Sequence, residues 1–164
     1  MSGMRTPSQT VGPFFLRGLE WLATGSLGPN PDRTLRGSIF DGNGDRVNDA
    51  VVELWNPELG WARALVDEDG VFSFRVSRPL ARRTGSDGAL VASSIRVTIF
   101  ARGLLRAVVT RFYFPDREAL DSDSVLATLD KGRQDTLVAT EEGEDLRFDV
   151  FLQGPRETVF FDVE

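Results

Sequence analysis

The sequence predicts an all-β fold, a β-sandwich of about eight short strands with one or two short helices in a connection. Three observations carry this. Apolar residues recur at period 2 over short runs, as in Ile95, Val97 and Ile99. Clusters of Gly, Asp, Asn and Pro separate the runs at roughly the 8–12-residue spacing of sandwiches and barrels. Finally, no apolar run approaches the roughly 20 residues of a membrane span. The chain has 164 residues, 41% apolar and 27% charged, which suits one domain with a real core.

The elements follow in order. Thr6 to Phe15, TPSQTVGPFF, combines two prolines, a glycine and two adjacent phenylalanines, and fits neither a helical nor a strand period. An irregular apolar arm is worth ordering only where it docks. Gly25 to Pro31 (GSLGPNP) reads as a loop. Thr34 to Phe40 (TLRGSIF) is a strand that leads into the turn DGNGD, Asp41 to Asp45. Ala50 to Trp55 (AVVELW) follows, and Asn56-Pro57 breaks it. Trp61 to Val66 and Val71 to Val76 flank DEDG, Asp67 to Gly70, as a hairpin. Phe72, Phe74 and Val76 then share one face, Ser73 and Arg75 the other.

Arg82 to Gly88 (RRTGSDG) is a polar loop. The next strand alternates Ile95, Val97 and Ile99 with Arg96, Thr98 and Phe100; Gly103 ends it, and Leu105 to Phe114 is another. Pro115 to Leu129 is the helical region, with Asp116, Asp121 and Asp123 offering caps and Leu126 and Leu129 facing the core. Leu146, Phe148, Val150 and Leu152 alternate with polar positions, and Thr158 to Val163 (TVFFDV) is the last strand. Residues 1–33 therefore read as a docking arm and loop, and residues 34–164 as a single sandwich domain.

Composition narrows the function. A net charge of −6 argues against nucleic acid as a partner. No basic flank followed by an apolar stretch opens the chain, and there is no cysteine, so the expectation is a cytoplasmic protein without a membrane segment. The chain contains no histidine and one tyrosine, Tyr113. Without His or Cys it cannot build the usual zinc site, a two-His-one-carboxylate iron site or a Ser-His-Asp triad. Whatever chemistry it serves, the reactive centre is not expected on this chain alone: no catalytic residue and no metal ligand is assigned to it.

DGNGD imitates the start of a calcium loop. However, Arg46 stands where the loop needs Gly and Val52 where it needs Glu, so a hairpin turn is the better reading. DEDG and the acidic Glu141, Glu142, Glu144 and Asp145 read as solvated turns. Arg102, in FARG (Phe100 to Gly103), closes a strongly alternating strand, where an arginine fork can face a cleft and meet an anion. An exposed arginine at a sheet rim fits the same pattern, and composition alone favours it. On these patterns a non-enzymatic β-sandwich binding or structural module remains open beside an enzyme role.

Four stretches carry a resemblance: TPSQTVGPFF, GSIFDGNGDRVNDAVVELWN from Gly37 to Asn56, IFARGLLRAVVTRFYFPD from Ile99 to Asp116, and RFDVFLQGPRETVFFDV from Arg147 to Val163. In the same order over most of the chain, they resemble the α-subunit family of the protocatechuate 3,4-dioxygenases, intradiol aromatic-ring dioxygenases of bacterial aromatic catabolism. The resemblance implies a β-sandwich and a hetero-oligomer with a related β subunit. That subunit would hold a non-haem Fe(III) through two Tyr and two His. The complex would cleave 3,4-dihydroxybenzoate, a small aromatic, with O₂ to 3-carboxy-cis,cis-muconate. Ser94-Ile95-Arg96 stands here in place of the β subunit's His-x-His. The arm is implied to reach the partner's substrate cleft, with Thr10, Gly12, Pro13 and Phe14 lining it and Arg102 entering from FARG. Phe14 takes a place where the resemblance leads one to expect tyrosine, and the chain is short around Leu59 to Trp61 and before Val91.

Overall fold

A computed structural model describes residues 7, 9–12, 14–84 and 89–162. Its strands are β1 (Ser26–Leu27), β2 (Arg33–Phe40), β3 (Ala50–Asn56), β4 (Gly60–Leu65), β5 (Val71–Val76), β6 (Arg82–Thr84), β7 (Ala89–Val91), β8 (Ser94–Ala101), β9 (Val108–Tyr113), β10 (Thr140–Glu142), β11 (Asp145–Arg147) and β12 (Val150–Phe151). They form two facing sheets, β1-β5-β2-β11-β10 with β12 also on β2, and β4-β3-β8-β9; β6 and β7 make a separate ribbon. The predicted sandwich is therefore correct. The strands beyond the eight expected are pieces of two or three residues, and they include the ribbon in what reads as a polar loop.

Period-2 alternation supplies the filling. Leu35 and Ile39 of β2, Phe72, Phe74 and Val76 of β5, Val52 and Leu54 of β3, and Ile95, Val97 and Ile99 of β8 all point between the sheets and are buried. The hairpin expected around DEDG does not form: β4 pairs with β3 and β5 with β2, so this turn carries the chain from one sheet to the other. In both acidic turns the first aspartate folds back on its own loop: Asp41 Oδ1 accepts from the Asn43 and Asp45 N–H groups, and Asp67 Oδ1 from those of Asp69 and Val71. These are Asx-type turns, each satisfied locally.

The late segment departs from its alternation. The expected strand from Leu146 to Leu152 breaks into β11 and β12, both parallel to β2. At the break the Phe148 carbonyl drops onto Gly37, where a Cβ would meet that oxygen at 1.8 Å. Asp149 repairs the ladder, its Oδ1 accepting from Ser38 N–H at 2.9 Å and from Arg147 Nε at 2.9 Å. Thr158 to Val163 is also not a strand over its described residues, 158–162. Hydroxyls take over ladder positions there. Thr158 Oγ1 accepts from Phe151 N–H at 3.0 Å, Thr136 Oγ1 accepts from Val159 N–H at 3.2 Å, and Thr110 Oγ1 donates to the Val159 carbonyl at 2.7 Å.

The connection after β9 holds two short helices, α1 (Arg117–Asp121) and α2 (Lys131–Gln134). Asp116 caps α1 by accepting from Ala119 N–H. Its carboxyl is held below the usual range by that bond, with the exposed Arg78 pair contributing next. Leu126 and Leu137 pack with Tyr113 and Ala92 in a second small core on the outer side of the β4-β3-β8-β9 sheet. No helix among the described residues is long and apolar enough to cross a membrane.

Candidate functional site

Strand β8 sets the geometry. Its odd-numbered residues fill the core, so Ser94, Arg96, Thr98 and Phe100 share the outward face. Immediately after Ala101 the chain turns at Arg102-Gly103, and Leu104 N–H donates to the Ala101 carbonyl at 3.2 Å. Gly103 has φ +91°, a conformation that favours glycine at the third position of such a turn.

The amino-terminal arm returns to this turn. Thr10 Oγ1 accepts from Gly103 N–H at 2.7 Å, which joins two of the four stretches that carry the resemblance. Phe15 lies with its ring centroid 6.2 Å from that of Phe100, on the outward face of β8. Phe15 N–H donates to the Gly12 carbonyl at 3.1 Å and curls the arm before it reaches the sheet. Phe14 points away and is 75% exposed, and Leu105 beyond the turn is 63% exposed.

Arg102 is held by a neighbour that sequence reasoning missed. The β3–β8 register pairs Ala50 with Ala101, so Asp49 and Arg102 emerge side by side. Arg102 Nε sits 2.9 Å from Asp49 Oδ2, with the arginine side chain 60% exposed. An exposed pair of this kind contributes about 0–1 kcal/mol to stability. It also aims the guanidinium while engaging it through Nε.

Four of the five residues expected to line a cleft are thus placed. Thr10 and Arg102 converge on one turn, and Gly12 and Phe14 lie in the arm beside it. Pro13 lies outside the described residues. Nothing in this chain's own packing requires glycine at position 12, because a Cβ there meets nothing within 4 Å. Asp49, Phe15, Phe100 and Leu105 complete the cluster; alternation places Phe100 on the outward face, but nothing in the sequence pairs Asp49 with Arg102.

The resemblance places the iron on the partner, and the residues at the equivalent positions of this chain do not suit one. Ser94 and Arg96 share the outward face as a His-x-His pair would, but a guanidinium has no lone pair to give and stays protonated. Tyr113 is fully buried, and its hydroxyl donates to Asp123 Oδ1 at 3.3 Å. Burial pushes its phenol up to about 12; the Arg111 charge opposes that rise and Asp123 adds to it. A phenolate is therefore not at hand near neutral pH. Among the described residues no three His, Cys, Asp or Glu side chains cluster as metal ligands.

Comparison with known proteins decides the family. A protein named protocatechuate 3,4-dioxygenase alpha chain, from Burkholderia cepacia, is 35% identical over 97% of this chain and 98% of its own length. The chain belongs to the protocatechuate 3,4-dioxygenase α-chain family. A second α chain of this family, from Pseudomonas putida, is 28% identical over 96% of both chains. The Burkholderia alignment spans 195 positions against the 164 residues here, so the α chain of Burkholderia carries insertions that this one lacks. No protein-family model matches the sequence. Among solved structures, hydroxyquinol 1,2-dioxygenase from Pseudomonas putida DLL-E4 superposes with a TM-score of 0.61 at 20% identity, over 92% of this chain and 67% of that one. The dioxygenase domain of a carbohydrate-binding fusion from Streptomyces sp. SirexAA-E gives 0.60 at 16% identity, over 97% of this chain and 96% of that one. These two speak for the sandwich fold shared with ring-cleaving dioxygenases.

Proposed function

We propose that this chain is the α subunit of a heteromeric protocatechuate 3,4-dioxygenase and that it works without an iron of its own. The reaction breaks the bond between the two hydroxylated carbons of 3,4-dihydroxybenzoate and places both atoms of O₂ in 3-carboxy-cis,cis-muconate. A non-haem Fe(III) on a related β subunit supplies the activation of the diol-bearing ring toward O₂. The observation that carries this reading is the 35% identity to a protein of that name over nearly the whole of both chains.

The α chain's part is positioning and electrostatics. Residues 1–33 supply the docking arm and the loop after it, and that loop is anchored to the sandwich where β1 pairs with β5. Thr10 pins the arm to the Gly103 turn, so Gly12 and Phe14 are presented beside Arg102 as one rim of the partner's cleft, and Pro13 is assigned to the same rim by the family resemblance. Phe14 covers apolar area and excludes water. Arg102, aimed by Asp49, offers its remaining donors to the anionic substrate or to charge developing during cleavage. The protein acts in the cytoplasm.

The test is co-expression with a His- and Tyr-bearing relative. The two chains are expected to co-purify with iron and ring-cleaving activity, while this chain alone holds no stoichiometric iron. In the complex, Arg102→Ala should lower kcat/KM on the order of 10- to 150-fold, the equivalent of about 1.5–3 kcal/mol for a charged hydrogen bond. Iron content is measured alongside. Stoichiometric iron and turnover in the isolated chain would overturn the assignment, and an unchanged kcat/KM in Arg102→Ala at full iron would remove Arg102 from the cleft.

A further inference from the structure

At the other end of the outward face of β8 the sheet does something unusual with charge. Arg96 and Arg111 are direct cross-strand partners on β8 and β9. Like charges placed so are ordinarily destabilising. One row along the same face, the sheet pairs its cation: Arg63 is bound through Nε and Nη2 to Glu53. Arg96 and Arg111 form no ion pair among the described residues. They rest on rings instead, Arg96 at 5.3 Å from the Trp55 centroid and Arg111 at 5.1 Å from that of Phe161. Arg111 Nη1 also donates weakly to the Tyr113 hydroxyl at 3.4 Å.

Both guanidinium groups line one cleft of about 180 Å³, with Trp55, Pro57 and Leu80 as an apolar flank and Ser94 on its floor. Trp55 is 44% exposed and Leu80 77%, so the apolar wall is open to an incoming molecule. Among the described residues no Asp or Glu lines the cleft.

We propose that this cleft binds a flat aromatic carboxylate, with the carboxylate between Arg96 and Arg111 and the ring against Trp55 and Leu80. Two planar forks side by side match the two oxygens of a carboxylate, and an anion between them removes the cross-strand repulsion. The apolar flank has the area for a ring but offers little to a longer polar chain. The inference does not depend on the ring-cleaving role, since every group invoked is on this chain.

The experiment uses the full-length chain in the assembly in which it purifies and titrates it calorimetrically with benzoate and, separately, with neutral benzamide. Benzoate should bind saturably, and benzamide at least about tenfold more weakly, because it cannot form charge-assisted bonds. Arg96→Ala and Arg111→Ala should each weaken benzoate by about tenfold or more. Arg96→Lys, at an exposed position that folding tolerates, should fall between wild type and Arg96→Ala because the charge survives and the fork does not. A benzoate isotherm unchanged across the three variants would overturn the proposal. An absence of benzoate binding to the wild-type chain would overturn it as well, and if the variants then also fell out of the assembly, the arginines would serve a contact with a neighbouring protein instead.

Discussion

Tyr113 and Arg102 stand at opposite ends of the β8–β9 pair, and their surroundings could hardly differ more. Tyr113 closes β9 in full burial, and its partner Asp123 is buried as well. Asp123 accepts from four donors: the N–H groups of Ala92, Val125 and Leu126 at 2.7, 2.9 and 2.9 Å, and the Tyr113 hydroxyl. Nothing in that network is left over for a ligand. Arg102 is mostly exposed, tied through Nε, and flanked by the exposed Phe14 and Leu105. A saturated, buried polar cluster holds the fold; a loosely held cation beside uncovered apolar side chains is what a chain can offer to another molecule. Both residues stand out in the sequence, one as the lone tyrosine and one as FARG, and surroundings rather than residue type separate their roles.

The contrast breaks most sharply at Asp123. Replacing it with Ala leaves three backbone N–H groups, those of the buried Ala92 and Leu126 and the half-buried Val125, and a hydroxyl without their acceptor. At about 1–3 kcal/mol for each unsatisfied group, partly relieved by water entry, Asp123→Ala should cost about 3–5 kcal/mol. Denaturant unfolding with an unchanged slope would measure it. Asp123→Asn, which keeps one acceptor oxygen, should lose less. A cost below about 1 kcal/mol would mean the network is not structural, and the comparison would fail on its buried side.

Alkaline pH probes the same cluster more gently. The Tyr113 phenol sits at about 12 in the folded chain against about 10 when unfolded. Below pH 10 both states keep the proton, and the full stability is present. Between about pH 10 and 12 the unfolded chain releases its proton while the folded chain retains it, so stability falls with rising pH. Each pH unit across that window removes about 1.36 kcal/mol, for a total loss on the order of 2–3 kcal/mol. The readout is clean, because Tyr113 is the single tyrosine and Lys131 the single lysine, with no cysteine or histidine. Near-ultraviolet phenolate absorbance should appear late and track unfolding, and Tyr113→Phe should flatten the pH dependence. A phenolate forming near pH 10 in the folded chain would show the hydroxyl to be solvated.

How far each region is legible in the sequence follows from the range of the interactions that make it. The inward face of β8 is plain from Ile95, Val97 and Ile99, because alternation is local. The acidic turns are equally plain, since Asp41 and Asp67 bond within their own loops. Asp116 and Asp123 are recognisable as caps, but the burial of Asp123 against Tyr113 is not, because it depends on where the connection after β9 folds down. The break at Phe148-Asp149 is hidden for the same reason: a period-2 pattern cannot show that a carbonyl on one strand needs a glycine on another. At the candidate site, the resemblance draws attention to Thr10 and Arg102, but the pattern cannot supply Asp49, which the register of β3 on β8 brings into place. The Arg96–Arg111 pair is likewise a product of register.

The smallest expected effect tests the exposed side of the comparison. The arm meets the FARG turn through one neutral hydrogen bond, Thr10 Oγ1 to Gly103 N–H at 2.7 Å, and through Phe15 on Phe100. A neutral bond of this kind contributes about 0.5–1.5 kcal/mol, less at a site where water can replace the acceptor. Thr10→Val keeps the shape and removes that acceptor. It should leave global unfolding within about 0.5 kcal/mol of wild type, because the stretch around Thr10 lies outside both sheets. Local opening should change instead: amide exchange at Gly103 should quicken by roughly 2- to 10-fold, the equivalent of about 0.5–1.4 kcal/mol. Thr10→Ser, which retains the hydroxyl, should restore most of the protection. If Thr10→Val destabilised the whole fold as strongly as Asp123→Ala, the arm would be part of the structural core and the contrast drawn between the two ends of the β8–β9 pair would be wrong. If Gly103 exchange did not change, the arm would be held to the turn by Phe15 alone, and Thr10 would be free to face the partner.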